Sequence, residues 1–117
     1  MSDILITGEG GFIGRNLVAY LNYRGQNCIS FTRQITGNLF DSIILKDHSS
    51  NYNFSTAVHL ASKSKGIKTE IDIKNETEMA INVLSLLKSG SRFIYLSSAD
   101  VYAQCKMPLS EKSKLSP

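Results

Sequence analysis

Short apolar runs of strand length recur along the chain. They occupy residues 4–6, 27–31, 57–61 and 92–96. Largely apolar runs of this length are typical of parallel strands that are covered on both faces of a sheet. The pattern therefore predicts strands at these four places.

Two longer segments between these runs have apolar residues at helical spacing. The first is predicted to end near Arg24, because Gly25 can adopt the left-handed conformation that closes a helix. The second covers residues 69–88, with Gly90 as its end. Strands that alternate with helices predict an α/β fold. The apolar positions are Leu17, Val18 and Leu21 in the first segment and Met79, Ala80, Val83, Leu84 and Leu87 in the second.

A glycine-rich turn lies between the first run and the first helix, with glycine at positions 8, 10, 11 and 14. We expect Gly8 to take a positive φ, Gly11 to leave the backbone open to a diphosphate, and Gly14 to let the helix pack closely on the strand. The N–H groups at the start of the helix would then face an anion. The alternative is an ordinary turn between a strand and a helix.

The composition is that of a globular protein with a single domain. The chain has 117 residues, of which 42% are hydrophobic and 20% charged, and its net charge is +3. We expect no nucleic-acid partner from so small a charge. The local cluster of Lys63, Lys65 and Lys68 has no interleaved aromatic residues and is interpreted as a solvated loop face.

The two cysteines and the N-terminus carry no special signal. Cys28 and Cys105 do not have the spacing of metal ligands or of a disulfide scaffold, so no metal site is predicted. The sequence has neither a signal-peptide pattern nor an apolar stretch of membrane-spanning length. We therefore expect a cytoplasmic protein without a membrane partner.

Several segments together resemble a known family. Residues 7–14 read Thr-Gly-Glu-Gly-Gly-Phe-Ile-Gly, and residues 97–102 read Ser-Ser-Ala-Asp-Val-Tyr. The first resembles the cofactor fingerprint, and the second a substrate-binding segment, of the extended short-chain dehydrogenases/reductases. This is the family of NAD-dependent sugar-nucleotide epimerases and dehydratases. Residues 57–61 and 37–41 are similar to its fourth strand and to the end of its third strand.

The resemblance implies a Rossmann-like, doubly wound parallel sheet with strand order 3-2-1-4-5. The match covers only the front part of such an enzyme, which is normally more than twice this length. Residues 1–117 are thus expected to form one NAD(P)-binding domain that stops after the fifth strand and lacks the substrate-binding region.

The resemblance also implies a set of cofactor-binding residues. Asn38 replaces an aspartate beside the adenine, where its amide oxygen can still accept a hydrogen bond. Asn75 is taken as the asparagine of the family's fourth helix because of its distance from the next strand, although Asn82 matches the local lettering better. The expected cofactor-binding residues are Gly8, Gly10, Gly11, Phe12, Ile13, Gly14, Thr32, Arg33, Asn38, Leu39, Leu60, Ala61, Ser62, Asn75 and Ser97.

The tip of the second strand bears on the choice between NAD and NADP. It reads Phe31-Thr32-Arg33 and offers no carboxylate to the ribose hydroxyls of NAD. The guanidinium of Arg33 can instead pair with a 2′-phosphate, so NADP is expected in preference to NAD. The alternative is that Arg33 is an exposed arginine without a specific partner.

Ser98 is the expected catalytic residue, since it occupies the position of the hydroxyl that holds the substrate's reacting oxygen in the family. His59 is interpreted as a hydrogen-bonded core histidine. Residues 115–117 resemble the part just before the family's catalytic tyrosine. The chain is therefore expected to lack the Tyr-x-x-x-Lys pair that moves the proton.

These features predict the N-terminal, cofactor-binding part of a nucleotide-sugar epimerase, dehydratase or reductase, inactive by itself. Two alternatives stay open: a non-catalytic NAD(P)-binding or redox-sensing module, and an inert structural fragment that associates with itself. A homodimer is expected through the fifth strand or the helix before it, where apolar side chains would be exposed. The side chains expected on that surface are Phe93, Ile94, Leu96, Val83, Leu84 and Leu87.

Overall fold

The computed structural model of the chain describes residues 3–31, 52–61, 69–96, 108 and 110–115. Four strands and two helices are found in this part of the chain. In chain order they are β1 (Asp3–Thr7), α1 (Phe12–Tyr23), β2 (Cys28–Phe31), β3 (Phe54–His59), α2 (Glu70–Leu84) and β4 (Arg92–Tyr95).

The four strands form one parallel sheet in the order β2-β1-β3-β4. The register pairs Thr7 at the end of β1 with Phe31 on one side and His59 on the other. The carboxyl ends of β1, β2 and β3 therefore lie at the same edge of the sheet. This confirms a parallel α/β fold; the further strand of the predicted order 3-2-1-4-5, expected to end at residues 37–41, lies outside the described residues.

Each half of the sheet consists of two parallel strands joined by one helix. The chain passes from β1 through α1 to β2, and from β3 through α2 to β4, so the two crossovers run in opposite directions. Because such crossovers are right-handed, α1 and α2 cover opposite faces. The sheet is thus doubly wound, with its direction of winding reversing between β1 and β3.

The core lies on the face of the sheet that α2 covers. Val83 of α2 is fully buried against the sheet, and Phe31 meets Phe54 edge to face with ring centroids 5.8 Å apart. Val83 therefore does not belong to the exposed surface expected from the sequence, and Phe93 and Leu87 are only half exposed to solvent. The buried residues of this cluster are Leu5, Phe31, Phe54, Ala57 and Val83, and Ile6 of β1 is buried as well.

The ends of the helices follow local backbone chemistry. Gly25 has a φ of +71°, and the amides of Gly25 and Gln26 donate to the carbonyls of Asn22 and Leu21, which closes α1 as predicted. At the start of α2, Thr69 and Asp72 cap each other's backbone amides in a capping box.

Two predicted boundaries were wrong by a few residues. The strand predicted at 57–61 spans Phe54–His59, and it begins earlier because Phe54 is a core residue that packs in the sheet. The helix predicted to reach residue 88 ends at Leu84, and residues 85–87 continue as a tighter turn in which Leu86 and Leu87 donate to carbonyls three residues back. No helix in the described part of the chain has the length and apolar content needed to cross a membrane.

Candidate functional site

The glycine-rich turn connects the end of β1 to the start of α1. Gly8 has a φ of +79°, as the sequence predicts, and its carbonyl accepts a hydrogen bond from the Gly11 amide at 3.2 Å. Gly11 is the N-cap residue of α1 and provides no side-chain hydrogen bond to the helix. Gly11, Phe12 and Ile13 are exposed. The amides of the first helical turn are therefore available to an anion at the carboxyl edge of the sheet.

Two of the glycines are required by the packing of the turn itself. A Cβ atom on Gly14 would lie 2.1 Å from the Gly8 carbonyl oxygen, and one on Gly8 would lie 2.7 Å from the Ala61 nitrogen. Gly11 differs, because its Cβ would meet only the Gly8 oxygen at 3.5 Å. The bare backbone at Gly11 thus leaves room on the outer side of the turn, where a bound group can approach.

The turn lies at the point where the winding of the sheet reverses. The β1 end and the β3 end are neighbours, while their crossovers lead to opposite faces. In open parallel sheets, ligands bind in the crevice outside the carboxyl ends of the strands at such a point. Leu60 and Ala61, which follow β3, form the other wall of this crevice and touch Gly8.

A buried hydrogen-bond cluster joins the two walls. The Thr7 Oγ1 atom lies 2.7 Å from His59 Nδ1, and it accepts from the amides of Leu60 at 3.2 Å and Ala61 at 3.3 Å. Thr7 is 0% exposed and His59 1% exposed. His59 is therefore a hydrogen-bonded core histidine, as the sequence analysis concluded.

His59 lies in an aromatic and weakly polar environment. Its ring stacks on Phe93 and Tyr95 of β4, with centroids 6.2 and 5.7 Å away. Its Nε2 atom has no hydrogen-bond partner among the described residues. Burial lowers the pKa of His59, and the buried carboxylate of Glu76 on α2 opposes this by favouring the charged form. The neutral imidazole is the stable form in the fold.

A second concave feature lies between α2 and β4. This groove has a volume of about 400 Å³ and a mostly apolar lining. It lies beside α2 and away from the glycine-rich turn. Its lining residues are Ile73, Glu76, Thr77, Ala80, Ile81, Phe93 and Tyr95.

The structure brings part of the predicted site together. The six predicted site residues between positions 8 and 14 lie in the turn and the helix start, and Leu60 and Ala61 lie close to Gly8 across the crevice. Asn75 lies near the start of α2 and Asn82 near its end, both half-buried, so the choice between them stays a prediction. The remaining predicted site residues lie outside the described residues: Thr32, Arg33, Asn38, Leu39, Ser62, Ser97 and Ser98.

Sequence reasoning missed the role of Thr7 and the presence of Glu76 beside His59. Thr7 was part of the matched fingerprint, but its contact with His59 depends on the register of β1 and β3. The sequence does contain one signal of this contact, a threonine at the end of one buried strand and a histidine at the end of another. This signal predicts a hydrogen-bonded pair only when the two strands are known to be neighbours in the sheet.

One expectation about the catalytic pair needs correction. The spacing Tyr-x-x-x-Lys does occur in this chain, at Tyr102 and Lys106, so it is wrong that no such spacing is present. Tyr102 is the last residue of segment 97–102, which resembles the family's substrate-binding segment and not its catalytic Tyr-x-x-x-Lys pair. Both residues lie outside the described residues.

Comparison with known proteins agrees with this geometry. The model of the NAD dependent epimerase/dehydratase family matches residues 4–117. A UDP-glucose 4-epimerase from Yersinia enterocolitica is 26% identical over 141 residues, and the alignment covers 97% of this chain and 42% of that protein.

Solved structures show the same fold. A short-chain dehydrogenase/reductase superfamily protein from Agrobacterium tumefaciens with bound NAD has a TM-score of 0.79 and 25% identity, over 98% of this chain and 39% of that protein. A UDP-glucose 4-epimerase from Bifidobacterium longum in complex with NAD+ and UDP has a TM-score of 0.80 and 22% identity, over 98% of this chain and 43% of that protein. The chain spans less than half the length of each of these proteins.

We predict that Gly14→Ala destabilises the fold while Gly10→Ala does not. The new methyl group at Gly14 would overlap the Gly8 carbonyl, whereas a Cβ on Gly10 meets nothing within 4 Å. Overpacking of this kind costs about 1–3 kcal/mol or more, and an open surface position changes stability by about 0.5 kcal/mol or less. Urea unfolding of the two variants measures the difference. Equal stability of both variants would contradict the packing argument.

Proposed function

The chain belongs to the NAD-dependent epimerase/dehydratase family, and from this premise we propose that it is the cofactor-binding part of a nucleotide-sugar epimerase, dehydratase or reductase. The observation that supports the proposal is the contact between the glycine-rich turn and the end of β3 at the point where the winding reverses. The proposed location is the cytoplasm.

The residues of the crevice fit a dinucleotide. The uncapped start of α1 offers amides to the diphosphate, and the bare backbone at Gly11 lets the phosphate oxygens approach. Leu60 and Ala61 would form the wall of the crevice against which the cofactor lies, and the small side chain of Ala61 would avoid a clash with it. The cofactor would supply hydride exchange with the substrate carbon. This chain's part is to hold and orient the cofactor.

NADP is proposed in preference to NAD. The support comes from the sequence alone: Thr32 and Arg33 follow β2 in the chain, and they would offer a cation and no carboxylate to the adenosine ribose. The two solved structures named above contain NAD.

Ser98 is proposed to hold the reacting oxygen of a nucleotide-sugar substrate, and the chain alone is proposed to have no turnover. The phenol of the family's proton-transferring tyrosine is expected after residues 115–117, and Tyr102 is matched to another position. Without a placed acid or base, a proton-coupled step loses about 10²–10⁴-fold in rate. Turnover of a nucleotide sugar by the purified chain that is lost in Tyr102→Phe would contradict this, and would make Tyr102 and Lys106 the proton-transferring pair.

A non-catalytic NAD(P)-binding or redox-sensing module is the second candidate. The arrangement of the turn favours it as much as it favours an enzyme, since binding requires only the crevice. Binding without turnover supports this reading, whereas the third candidate, an inert structural fragment, predicts no binding at all.

A homodimer through α2 and β4 is proposed for the chain. Among the described strands, β4 lies at one edge of the sheet, and several apolar side chains of β4, of the residue after it and of α2 are about half exposed or more. Covering them with a second copy would remove apolar area from water. Sedimentation at several concentrations measures the association, and a monomer at every concentration would refute it. The exposed side chains are Ile71, Ile73, Ile81, Leu84, Ile94, Tyr95 and Leu96.

We predict that the chain binds NADP more tightly than NAD, and that Gly11→Val weakens both by at least about tenfold, or 1.4 kcal/mol, because a branched side chain would occupy the place of the diphosphate. Ala19→Val, at an exposed position later in α1, is the matched control and should bind normally. Arg33→Ala should weaken NADP more than NAD. Titration calorimetry measures all four proteins. Normal binding by Gly11→Val removes the turn from the proposal, and an equal loss for both cofactors in Arg33→Ala removes Arg33 from it.

A further inference from the structure

We propose that Thr7 and His59 form a hydrogen-bond relay of fixed direction, in which the Thr7 hydroxyl donates to His59 Nδ1 and holds the backbone of Leu60 and Ala61 in place beside the glycine-rich turn. The relay makes Thr7 and His59 positioning residues for the dinucleotide crevice. The positioning role rests on the proposed function, whereas the direction of the hydrogen bond from Thr7 to His59 does not.

The direction follows from the number of donors and acceptors around the Thr7 hydroxyl. A hydroxyl group has one proton to donate and two lone pairs that accept. Backbone amides can only donate, and the amides of Leu60 and Ala61 both lie within hydrogen-bond distance of Thr7 Oγ1, at 3.2 and 3.3 Å. The Leu60 amide is shared with the Thr7 carbonyl, to which it also donates. Since neither amide can accept, His59 Nδ1, at 2.7 Å, is the one of the three neighbours that can receive the hydroxyl proton.

This assignment determines the tautomer of the imidazole. Nδ1 accepts the Thr7 proton and so carries none of its own, which places the imidazole proton on Nε2. In the ordinary neutral histidine either nitrogen can carry the proton. Here the Nε2–H form is the one that gives the Thr7 proton an acceptor among its three neighbours.

The relay disfavours the charged form of His59. A protonated ring would present an N–H group where the Thr7 hydroxyl donates, so the hydroxyl proton would lose the acceptor that it has among these neighbours. The groups that face the ring are Thr7 from β1, Glu76 from α2, and Phe93 and Tyr95 from β4. Among these, Glu76 favours the charged ring, and burial of His59 opposes it more strongly.

The relay is placed where it sets the shape of the crevice. The Leu60 amide also donates to the Thr7 carbonyl at 3.1 Å, so the residue after β3 is held to β1 by both the backbone and the side chain of Thr7. Among the described residues, the Ala61 amide is held by this side chain alone. Since Ala61 is in close contact with Gly8, a shift of this segment changes the wall against which the dinucleotide would lie. Thr7 is fully buried and acts through Leu60 and Ala61.

The experiment combines three variants with two readouts on the full chain. Thr7→Val removes the hydroxyl and keeps the shape, Thr7→Ser restores a hydroxyl, and Thr77→Val is the control, because Thr77 is exposed on α2 and its hydroxyl donates only to the Ile73 carbonyl. Nitrogen NMR of the His59 ring in the cofactor-free chain reports the tautomer. Titration with NAD and NADP reports the crevice.

We expect a pyridine-type Nδ1 and a protonated Nε2 in the unmodified chain and in Thr7→Ser, and loss of this fixed tautomer in Thr7→Val. Thr7→Val should bind the dinucleotide at least about fivefold more weakly, because the Ala61 amide is left without its partner. Thr7→Ser and Thr77→Val should stay within about twofold of the unmodified chain. The stability that neutral His59 contributes should be present above pH about 6.5, the ordinary pKa of histidine, and be lost as the pH falls below it.

Each part has its own contradicting result. A proton on Nδ1 of the unmodified chain overturns the relay, whether or not a dinucleotide binds. A fixed Nε2–H tautomer together with undiminished binding by Thr7→Val overturns the positioning role. If the unmodified chain binds neither cofactor, the proposed function and the positioning role both fail, and the tautomer result stands by itself. If Thr7→Val does not fold, the tautomer of the unmodified chain still decides the relay. In that case, a loss of cofactor affinity of more than about twofold in Thr7→Ser, relative to the unmodified chain, overturns the positioning role.

Discussion

Close backbone contact between two strand ends is the constraint on which the candidate site depends. The turn after β1 passes so near the segment after β3 that a Cβ atom at Gly8 would lie 2.7 Å from the Ala61 nitrogen. The same turn meets the start of α1 at Gly14. Three pieces of backbone therefore converge with almost no side-chain material between them. This leaves amides and carbonyls, and few side chains, to form the crevice at the carboxyl edge of the sheet.

The Thr7 hydroxyl provides a hydrogen-bond acceptor for the backbone amides where these segments converge. A backbone amide that is withdrawn from water needs a partner, and a buried, unsatisfied one costs about 1–3 kcal/mol. Thr7 supplies an acceptor to Leu60 and Ala61 from the neighbouring strand, and His59 in turn accepts the proton of Thr7. A core histidine thus serves the geometry of the turn without lying in the crevice. The opposite side of its ring packs toward the α2 groove, through Phe93, Tyr95 and Glu76.

Sequence reasoning was reliable where one residue type has one physical use, and it failed where a feature depends on neighbours distant in sequence. The positive φ at Gly8 and Gly25 could be predicted, because glycine alone adopts it freely. The burial of Val83 and the early end of α2 at Leu84 could not, since both depend on how the helix lies on the sheet. The pairing of Thr7 with His59 required the register. The pairing of Arg33 with a cofactor phosphate stays a prediction from the sequence, because Arg33 lies outside the described residues.

The most direct test of the account is to map dinucleotide binding onto the chain by backbone amide NMR during titration with NADP and with NAD. The account predicts that the amides of residues 8–14 and of Leu60 and Ala61 shift together and saturate at one concentration, while those lining the α2–β4 groove, such as Ile81 and Thr77, stay unchanged. Shifts confined to the groove, or none at the turn under saturating cofactor, would contradict the assignment of the crevice as the dinucleotide site.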